Sequence, residues 1–390
     1  MTNLKVCAGI VLLLLGTQVI RAEENKSVTI NHGPYLQNVS QNTISVVFST
    51  DALVVPGVML YGKGEKPVVI KNSHDGLIDV GEGIHKVEIS GLKPGTSYSY
   101  KAFGIKVVDY QPYKCVFGDT VYSALGTFKT VEPDKEGIKF TVFNDVHDKA
   151  WKIGKYLDHN AIDKQDFYIL NGDILGHIDE EAQMYSSFID TCVSRFAQNI
   201  PFFYVRGNHE TRGAYARELK KFLVLDNDSY YYAFSRGPAR FVVLDGGEDK
   251  PDDNIEYSGL ADFDAFREKQ LEWLKREIAG REFLDAEVKI VVIHMPIIEN
   301  KENWYGMAQL AEHYGPVLRD AGIDLMISGH THTNEWIDSE KSGFGYPVII
   351  CSHEDFLEVE LDATMIKCEV KGMDGKVVQS QHISLQASEK

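Results

Sequence analysis

The sequence predicts two domains, an all-β sandwich followed by a layered α/β domain. Residues 28–130 contain short strand-like runs between turn residues and lack a helical pattern, which is typical of a sandwich. From residue 138 onward, apolar strands alternate with amphipathic helices, as in an α/β fold. A length of 390 residues is ample for two hydrophobic cores. We therefore expect domains at 26–130 and 138–385, joined by a linker at 131–137 that contains Pro133 and mixed charges.

The first 22 residues are typical of a secretory signal peptide. Lys5 is followed by an apolar run over residues 8–20, and Ala22 is a suitable cleavage point. The run is too short for a membrane span, although a retained anchor is the alternative. No later segment is long and apolar enough to cross a bilayer, so we predict a secreted or periplasmic protein.

Strands of the first domain are expected where β-branched and aromatic residues cluster beside turn residues. They are predicted at 44–50, 58–61, 85–90 and 97–103.

In the second domain, strands and helices are predicted to alternate. Strands are expected at 139–143, 167–170, 201–205, 288–293 and 323–328, a hairpin at 230–244, and further β structure at 346–385. Helices are expected at 151–159, 179–197, 262–279 and 307–321. The second helix would carry Asp179, Glu180 and Glu181 in its first turn, where the helix dipole favours acids. The third would bury the apolar face of Phe263, Phe266, Leu271, Leu274 and Ile278.

Charge and cysteine content narrow the possible partners. The net charge of −17 repels polyanions, so binding of nucleic acid through a basic surface is not expected. An anionic substrate would need local positive charge, which a metal centre supplies. Cys115, Cys192, Cys351 and Cys368 have no metal-binding spacing; we predict no particular disulfide, and we expect Cys192 to be a buried thiol.

Five predicted strands end in residues of metal-ligand type. These residues are Asp145 and His147, then Asp173, then Asn208 and His209, then His294, and finally His330 and His332. Ligands of open α/β sheets bind beyond the carboxyl ends of the strands, and imidazoles with carboxylates suit zinc, manganese or iron. Because side chains alternate along a strand, we expect His330 and His332 to point to one place. Each block alone has a structural explanation, such as a turn or a core histidine.

The order D-x-H, G-D, G-N-H-E, H, G-H-x-H resembles the signature of calcineurin-like metallophosphoesterases, over residues 138 to about 370. The runs 33–36 and 91–98 resemble the fibronectin-III-like domain that precedes the catalytic domain of purple acid phosphatases. The resemblance implies two divalent ions, of Mn, Zn or Fe. One would be held by Asp145, His147, Asp173 and His332, and the other by Asp173, Asn208, His294 and His330.

The chemistry of a dinuclear centre agrees with this implied ligand set. Two ions roughly 3.5–4 Å apart need a bridging carboxylate, here Asp173, and can clamp both oxygens of an in-line displacement. A metal-bound water can lose a proton near pH 7 and give a hydroxide nucleophile. His209 is the candidate for protonating the leaving oxygen. Arg206 and His177 are candidates for phosphate contact, with a structural or surface role as the alternative, and Glu210 is expected to support the loop.

Three positions depart from the purple acid phosphatase pattern. The tyrosine that binds Fe(III) in that family corresponds to Gly176, and His147 stands where that family has a glycine. His332 is followed by Thr333 and Asn334 rather than by Tyr-Glu-Arg. The resemblance therefore implies a similar domain layout with a different metal shell.

The function predicted from the sequence is a secreted phosphoester hydrolase. The substrate could be a phosphomonoester, a phosphodiester or a nucleotide, and the loops 248–254 and 299–305, the latter with Trp304 and Tyr305, are expected to set the choice. The alternative is a binding protein that recognises a glycan or a protein through its β domain. The oligomeric state and the role of the β domain stay open.

Overall fold

The first part of the chain forms strands because its β-branched and aromatic residues alternate with polar ones. The computed structural model describes residues 27–62, 64 and 66–385; the predicted signal peptide lies outside them. The strands before residue 130 are β1 (Ile30–Gln37), β2 (Ile44–Tyr61), β3 (Val68–Ile70), β4 (Ser73–His74), β5 (Leu77–Ile78), β6 (Gly81–Ile89), β7 (Ser97–Gln111), β8 (Lys114–Tyr122) and β9 (Gly126–Lys129). The prediction of an all-β region is confirmed.

Strand β2 corrects the prediction of two separate strands at 44–50 and 58–61. It is one strand of 18 residues, with a register irregularity between Thr50 and Val54. Its first half pairs with β1 and β6, and its second half with β3 and β7. Phe48 from the first half and Val58 from the second lie in one buried cluster. The chain thus bends across a single core without a turn.

The second part of the chain alternates strands and helices, as predicted. Its strands are β10 (Gly137–Phe143), β11 (Phe167–Asn171), β12 (Phe202–Val205), β13 (Tyr232–Arg236), β14 (Ala239–Leu244), β15 (Val288–Ile293), β16 (Leu325–Ser328), β17 (Glu335–Ile337), β18 (Val348–Ile350), β19 (Asp355–Asp362), β20 (Met365–Gly372) and β21 (Val377–Ser384). The α-helices are α1 (Ala150–Asp158), α2 (Ala182–Met184), α3 (Asp190–Cys192), α4 (Phe263–Ile278), α5 (Arg281–Leu284), α6 (Tyr305–His313) and α7 (Gly315–Ala321). Single π-helical turns at Tyr185–Ile189 and Val193–Ala197 join α2 and α3 into one helical segment, and 3₁₀ turns lie at Ile162–Lys164, His209–Thr211, Ala216–Phe222, Asp226–Asp228 and Ile255–Tyr257.

Two sheets of six strands pack face to face in this part. Their orders are β12-β11-β10-β19-β20-β21 and β13-β14-β15-β16-β18-β17. Strands β10 to β12 are parallel, as are β14, β15, β16 and β18. Phe140 and Phe167 of the first sheet share a buried cluster with Phe241 and Ile290 of the second. Helices cover both outer faces, so the layered α/β architecture is confirmed.

Two predicted helices differ from the structure. The helix expected from residue 179 begins at Ala182, so Asp179 and Glu180 precede it, and their backbone N–H groups donate to the Gln183 side chain. The helix expected over 307–321 is two helices, because Pro316 lies at the start of α7 and breaks the hydrogen-bond ladder.

Helix α4 has the predicted length, and the predicted face packs inward in part, with Leu274 fully buried and Leu271 and Ile278 partly buried against the same core cluster. Of the apolar residues expected to be buried, only Leu274 is fully so, whereas Arg267 and Gln270 are buried beside it. Arg267 donates to the carbonyl oxygens of Gly246 and Glu248, and Gln270 exchanges hydrogen bonds with the backbone of Asp245. The helix is therefore held both by apolar packing through Leu274 and by polar contacts to the loop after β14.

The β-rich part packs directly on the α/β part. Tyr35 belongs to the same buried cluster as Phe188 and Tyr204, and its hydroxyl donates to the carbonyl of Phe222 at 2.7 Å. His32 stacks on Tyr185 with ring centroids 3.5 Å apart. Residues 130–136 between the two parts form no strand or helix.

The four cysteines of the described residues are free thiols, and Cys192 is buried as predicted. Within residues 27–62, 64 and 66–385, the structure contains no helix with the length and apolarity that a bilayer crossing requires.

Candidate metal centre

The five predicted blocks converge at one end of the two sheets. Each lies directly after the carboxyl end of its strand, namely β10, β11, β12, β15 and β16. Because these strands are parallel within each sheet, their carboxyl ends meet at the same edge. The position agrees with the rule that ligands of α/β sheets bind beyond the strand ends.

A first cluster consists of Asp145, His147 and His332. Asp145 Oδ1 lies 3.2 Å from His332 Nε2 and 3.8 Å from His147 Nε2. The two imidazole nitrogens are 3.2 Å apart. The three ligand atoms lie within 4.8 Å of one another, which is compatible with a single shared cation.

A second cluster consists of Asp173, His294 and His330. Asp173 Oδ2 lies 3.0 Å from His294 Nε2, and Asn208 Oδ1 lies 3.1 Å from His330 Nδ1. The atoms of the three clustered residues again fall within 4.8 Å. The four side chains offer one carboxylate, one amide oxygen and two imidazoles.

Asp173 also belongs to a third group, with His147 and His209. The clusters approach each other elsewhere too, since His294 Nε2 lies 3.8 Å from Asp145 Oδ1. One carboxylate is thus shared between two sets of ligand atoms.

Buried polar atoms without hydrogen bonds indicate that the site fits cations. Asp145 Oδ1 and His294 Nε2 are buried and make no hydrogen bond; the 3.0 Å contact of His294 with Asp173 lacks hydrogen-bond geometry. Leaving such groups unpaired is costly, whereas atoms aimed at a common cation need no mutual hydrogen bond. A mixed imidazole and carboxylate set suits borderline divalent ions.

The backbone of the ligand loops is held in an uncommon conformation. Five of the candidate ligands have positive φ: Asp145 at 51°, His147 at 48°, Asp173 at 51°, His330 at 71° and His332 at 60°. Non-glycine residues in this region cost of order 1–3 kcal/mol each and concentrate at functional sites.

His330 and His332 do not point to one place, so that expectation is wrong. The strand ends at Ser328, and both histidines adopt left-handed conformations in the loop beyond it, where strand alternation no longer applies. His330 joins Asp173 and His294, whereas His332 joins Asp145 and His147.

Gly207 is required by the close approach of a ligand. A Cβ at this position would lie 2.2 Å from Asp173 Oδ1. Gly172, at φ +79°, would place a Cβ 2.6 Å from the His294 ring. Any side chain at either position would displace a candidate ligand.

Glu210 clamps two of the ligand loops together, as predicted. Its buried carboxylate accepts hydrogen bonds from the backbone N–H groups of Asp173, Ile174, Leu175 and Gly207. The Tyr204 hydroxyl donates to the same group at 3.0 Å. This residue therefore fixes the loop after β11 against the loop after β12, and it supports the site without facing a substrate.

Electrostatic interactions keep most of the candidate ligands in the forms that bind cations. Burial lowers the pKa values of His147 and His330 to about 4, so both imidazoles are neutral at pH 7. Burial opposes ionisation of Asp173, yet the neighbouring His294 outweighs it and holds the pKa of this carboxyl below its usual range. Burial would likewise lower the pKa of His294, but Asp173 and Asp145 raise it to about 10. That proton is the one that a bound cation would replace.

His209 stands beside the clusters in a fixed orientation. Its Nδ1 lies 2.7 Å from the carbonyl oxygen of Gly176 and therefore carries the proton, since a carbonyl can only accept. Its Nε2 lies 3.9 Å from Asp173 Oδ2 and 3.3 Å from Arg212 Nη1. The ring thus presents one reactive nitrogen next to the shared carboxylate.

The two predicted phosphate contacts lie in different surroundings. Arg206 donates to the buried Asp245 at 2.7 Å and stacks over the Tyr230 ring at 4.1 Å. His177 is more than half exposed and lies 3.2 Å from Asp179. Neither belongs to the three ligand clusters.

Several neighbours of the site were missed by reasoning from the sequence. Arg212 contacts His209 and forms a two-bonded ion pair with Glu248. Asp249 accepts from Asn208 Nδ2 at 3.4 Å, and His353 lies 4.7 Å from His332 between ring centroids. Trp304, by contrast, lies in a loop that the sequence predicts to contact the substrate, and its exposed ring meets the His330 ring edge to face at 5.7 Å. The loops 248–254 and 299–305 are expected near the substrate, but no sequence pattern indicates these individual contacts.

Comparisons with known proteins agree with this geometry. The family model described as calcineurin-like phosphoesterase matches residues 138–334, just over half of the chain. Purple acid phosphatase 21 of Arabidopsis thaliana is 25% identical over 322 residues, which are 77% of this chain and 65% of that protein. Purple acid phosphatase 18 of the same plant is 23% identical, over 70% of this chain and 63% of its own length.

Two solved structures share the fold. The purple acid phosphatase PPD1 of yellow lupin (Lupinus luteus) superposes with a TM-score of 0.70 at 13% identity, over 92% of this chain and 74% of its own. A structure of PhoD gives a TM-score of 0.57 at 12% identity, over 91% of this chain and 92% of its own. The chain spans just under two thirds of the length of the curated phosphatases that it matches. Because the ligand order agrees and the family model matches residues 138–334, the chain belongs to the calcineurin-like phosphoesterase family.

Proposed function

We propose that this enzyme is a secreted or periplasmic phosphoester hydrolase with two divalent metal ions. The observation that carries the proposal is Asp173, whose carboxylate is shared by two clusters of ligand atoms. A bridging carboxylate is what a dinuclear centre requires. The signal-like N-terminus supports the location.

The ligand sets are proposed as the resemblance implies them. Asp145, His147, Asp173 and His332 hold one ion, and Asp173, Asn208, His294 and His330 hold the other. Bound divalent ions at this place would activate water as the nucleophile and neutralise charge on the phosphoryl oxygens. Mn²⁺ or Zn²⁺ suit the imidazole and carboxylate donors, and iron is the third candidate.

His209 is proposed as the group that protonates the leaving oxygen. Its Nδ1 is held by Gly176, so only Nε2 can deliver a proton to a substrate. Arg212, held by Glu248, lies against this nitrogen and is available to the departing group or to a phosphoryl oxygen. The two residues act on the same side of the centre.

The substrate is proposed as a small-molecule or nucleotide phosphate ester. Trp304 is exposed and lies beside His330, which supports contact between its ring and the organic part of a substrate. Monoesters and diesters both agree with the ligand set.

Release of nitrophenol from nitrophenyl phosphate tests the proposal, with Asp173→Asn as the decisive variant. This substitution removes the shared charge, so we expect kcat/KM to fall by about 10³ or more and the bound metal, measured on the same samples, to decrease. Asp179→Asn is the matched control, because Asp179 is an exposed carboxylate six residues away. Full activity and full metal content in Asp173→Asn would refute the ligand assignment. Absence of metal-dependent hydrolysis in the unmodified protein would favour the alternative, a non-catalytic binding protein.

A further inference from the structure

A pocket of about 650 Å³ opens beside the metal centre, on the side of His209. Arg212 joins the two, since it lines the pocket and places Nη1 3.3 Å from His209 Nε2. If His209 protonates the leaving oxygen, the alcohol attached to that oxygen extends past Arg212 into this pocket. Because it uses this role of His209, the inference rests on the proposed function.

The walls of the pocket are aromatic and held in place. The Tyr257 hydroxyl donates to Glu248 at 2.8 Å, and the Tyr230 ring lies under the guanidinium of Arg206 at 4.1 Å. Phe263 contributes a further apolar surface. A volume of this size holds an organic group of moderate size, and the three rings offer that group an apolar surface between charged side chains.

The charges at the pocket are predominantly positive, in a chain whose net charge is −17. Four cations line the pocket, namely Arg206, Arg212, Arg217 and Lys220, against the two acids Glu248 and Glu256. Both acids are paired with cations: Glu248 with Arg212, and Glu256 with Lys250.

Two of the four cations are not neutralised by a buried acid. Arg206 and Arg212 are neutralised by Asp245 and Glu248. Arg217 is exposed, and in the part of the chain that the structure describes no carboxylate pairs with it. Lys220 donates to the carbonyl oxygen of Asp228, pairs with its carboxylate, which is 81% exposed, and lies over the Tyr230 ring at 5.2 Å. An anionic group at the outer end of the pocket would therefore meet Arg217 and Lys220.

We propose that this pocket binds the alcohol portion of the ester and selects alcohols with an aromatic or apolar body and a second anionic group. The body would pack between Tyr230 and Tyr257, while the anionic group would pair with Arg217 and Lys220. The metal ligands set the reaction, and this pocket sets which ester is hydrolysed fastest.

The test compares phenyl phosphate with 4-carboxyphenyl phosphate and 4-(aminomethyl)phenyl phosphate on the full chain loaded with metal. We expect the carboxylate substrate to have the highest kcat/KM and the amine substrate the lowest. Arg217→Gln should lower the kcat/KM ratio of carboxyphenyl to phenyl phosphate about two- to five-fold, the effect of one exposed ion pair. Arg217→Gln combined with Lys220→Gln should lower it about ten-fold. Because the ratio is compared between variants, the different leaving-group reactivities cancel.

Lys221→Gln is the matched control, since Lys221 is the next residue, is exposed and pairs with Glu218 outside the pocket. An unchanged ratio in the double variant, or an equal fall in Lys221→Gln, would overturn the inference. If no ester is hydrolysed, the proposed function fails, and calorimetric binding of 4-carboxyphenyl phosphate then decides about the pocket. Weaker binding by the double variant alone would support it, and equal binding would overturn it.

Discussion

The imidazole of His209 has one nitrogen bonded to a carbonyl and the other directed towards Arg212 and Asp173. Gly176 accepts from Nδ1, and Gly176 itself is held through its N–H by Asp148 at 2.9 Å. This chain of contacts fixes the ring plane, so Nε2 keeps its position beside Asp173 before a substrate arrives. Fixed orientation of a proton donor is a large part of its catalytic effect.

His209→Ala should therefore slow esters in proportion to how much protonation their leaving groups need. Alkyl phosphates should lose about 10²-fold or more in kcat/KM, whereas nitrophenyl phosphate should lose much less. The comparison of the two substrates in stopped assays checks this. His313→Ala, an exposed histidine on α6, is the control. Equal losses for both substrates would assign His209 to binding or positioning instead.

Gly176 also determines the expected colour of the metal-loaded protein. The related purple enzymes owe their colour to a tyrosinate on Fe(III), and here that position has no side chain. The nearby tyrosines are committed elsewhere: the Tyr168 hydroxyl donates to Asn160, and that of Tyr204 to Glu210. Protein reconstituted with iron under air should show no intense band at roughly 500–600 nm, measured with the iron content of the same sample. Such a band would mean that a tyrosine does bind.

At the scale of residues, the sequence indicated which polar groups lie at the end of each strand but not which side chains approach from elsewhere. Asp145, Asp173 and His294 could be found because a polar residue directly after a buried strand must lie at the sheet edge. Arg212 and His353 reach the site through loop conformation, which has no periodic pattern. The separation of His330 from His332 depended on two left-handed residues, which no strand rule describes.

Elements were predictable where one pattern prevailed along the whole segment. Strands β10, β11 and β15 are largely apolar runs, broken by polar side chains only at Lys139, Thr141, Lys289 and the terminal Asn171, as expected of strands that are mostly buried on both faces. Strand β2 was divided in the prediction because a bulge can be mistaken for a turn. On α4 the burial of Arg267 and Gln270 was not predicted, because these side chains satisfy backbone groups of a loop and hydrophobic periodicity does not reveal such contacts.

Strand β6 contains a histidine that should make stability depend on pH. Burial lowers the pKa of His85 to about 4 despite the opposing influence of Asp79, and its Nε2 lies 2.8 Å from the Thr50 hydroxyl. In the unfolded chain the imidazole takes up a proton near pH 6.5, whereas the folded one resists protonation until about pH 4. The contribution of neutral His85 to the free energy of unfolding is therefore complete above pH 6.5 and is lost as the pH falls towards 4. At pH 5 the loss is about 2 kcal/mol.

His85→Gln tests this expectation without interference from the metal ligands. Urea unfolding of both proteins at pH 7.5 and pH 5 should show that the unmodified protein loses about 2 kcal/mol more than the variant between the two conditions. The other titrating groups are common to both proteins and cancel. An identical loss in the two would show that His85 protonates normally in the folded state.

At the scale of the whole molecule, the β-rich part completes the core of the α/β part. Tyr35 is 1% exposed and contacts Phe202 with ring centroids 5.7 Å apart. Tyr35→Ala should destabilise the α/β part by about 3–5 kcal/mol, the usual effect of emptying a large aromatic site. Tyr113→Ala, at a fully exposed tyrosine of the β-rich part, should change stability by less than about 0.5 kcal/mol.

The measurement for Tyr35→Ala is equilibrium unfolding followed by tryptophan fluorescence, which reports on the α/β part because all four tryptophans, Trp151, Trp273, Trp304 and Trp336, lie there. A single transition that shifts to lower urea would show that the two parts unfold together. Separate transitions, with the second unchanged, would contradict the role of Tyr35.

Several contacts of the β-rich part fall on the short segment that carries Arg217 and Lys220. Lys86 Nζ donates to the carbonyls of Lys220 and Leu223, the Tyr35 hydroxyl donates to that of Phe222, and Gln37 accepts from the N–H of Val224. The metal ligands receive no support of this kind from the β-rich part among the described residues. A protease nick or a folding error that releases the β-rich part would therefore remove these contacts from the segment, and it would also take Tyr35 out of the core of the α/β part. The ratio of carboxyphenyl to phenyl phosphate hydrolysis would report the first loss, which an assay with nitrophenyl phosphate alone would not separate from the loss of stability.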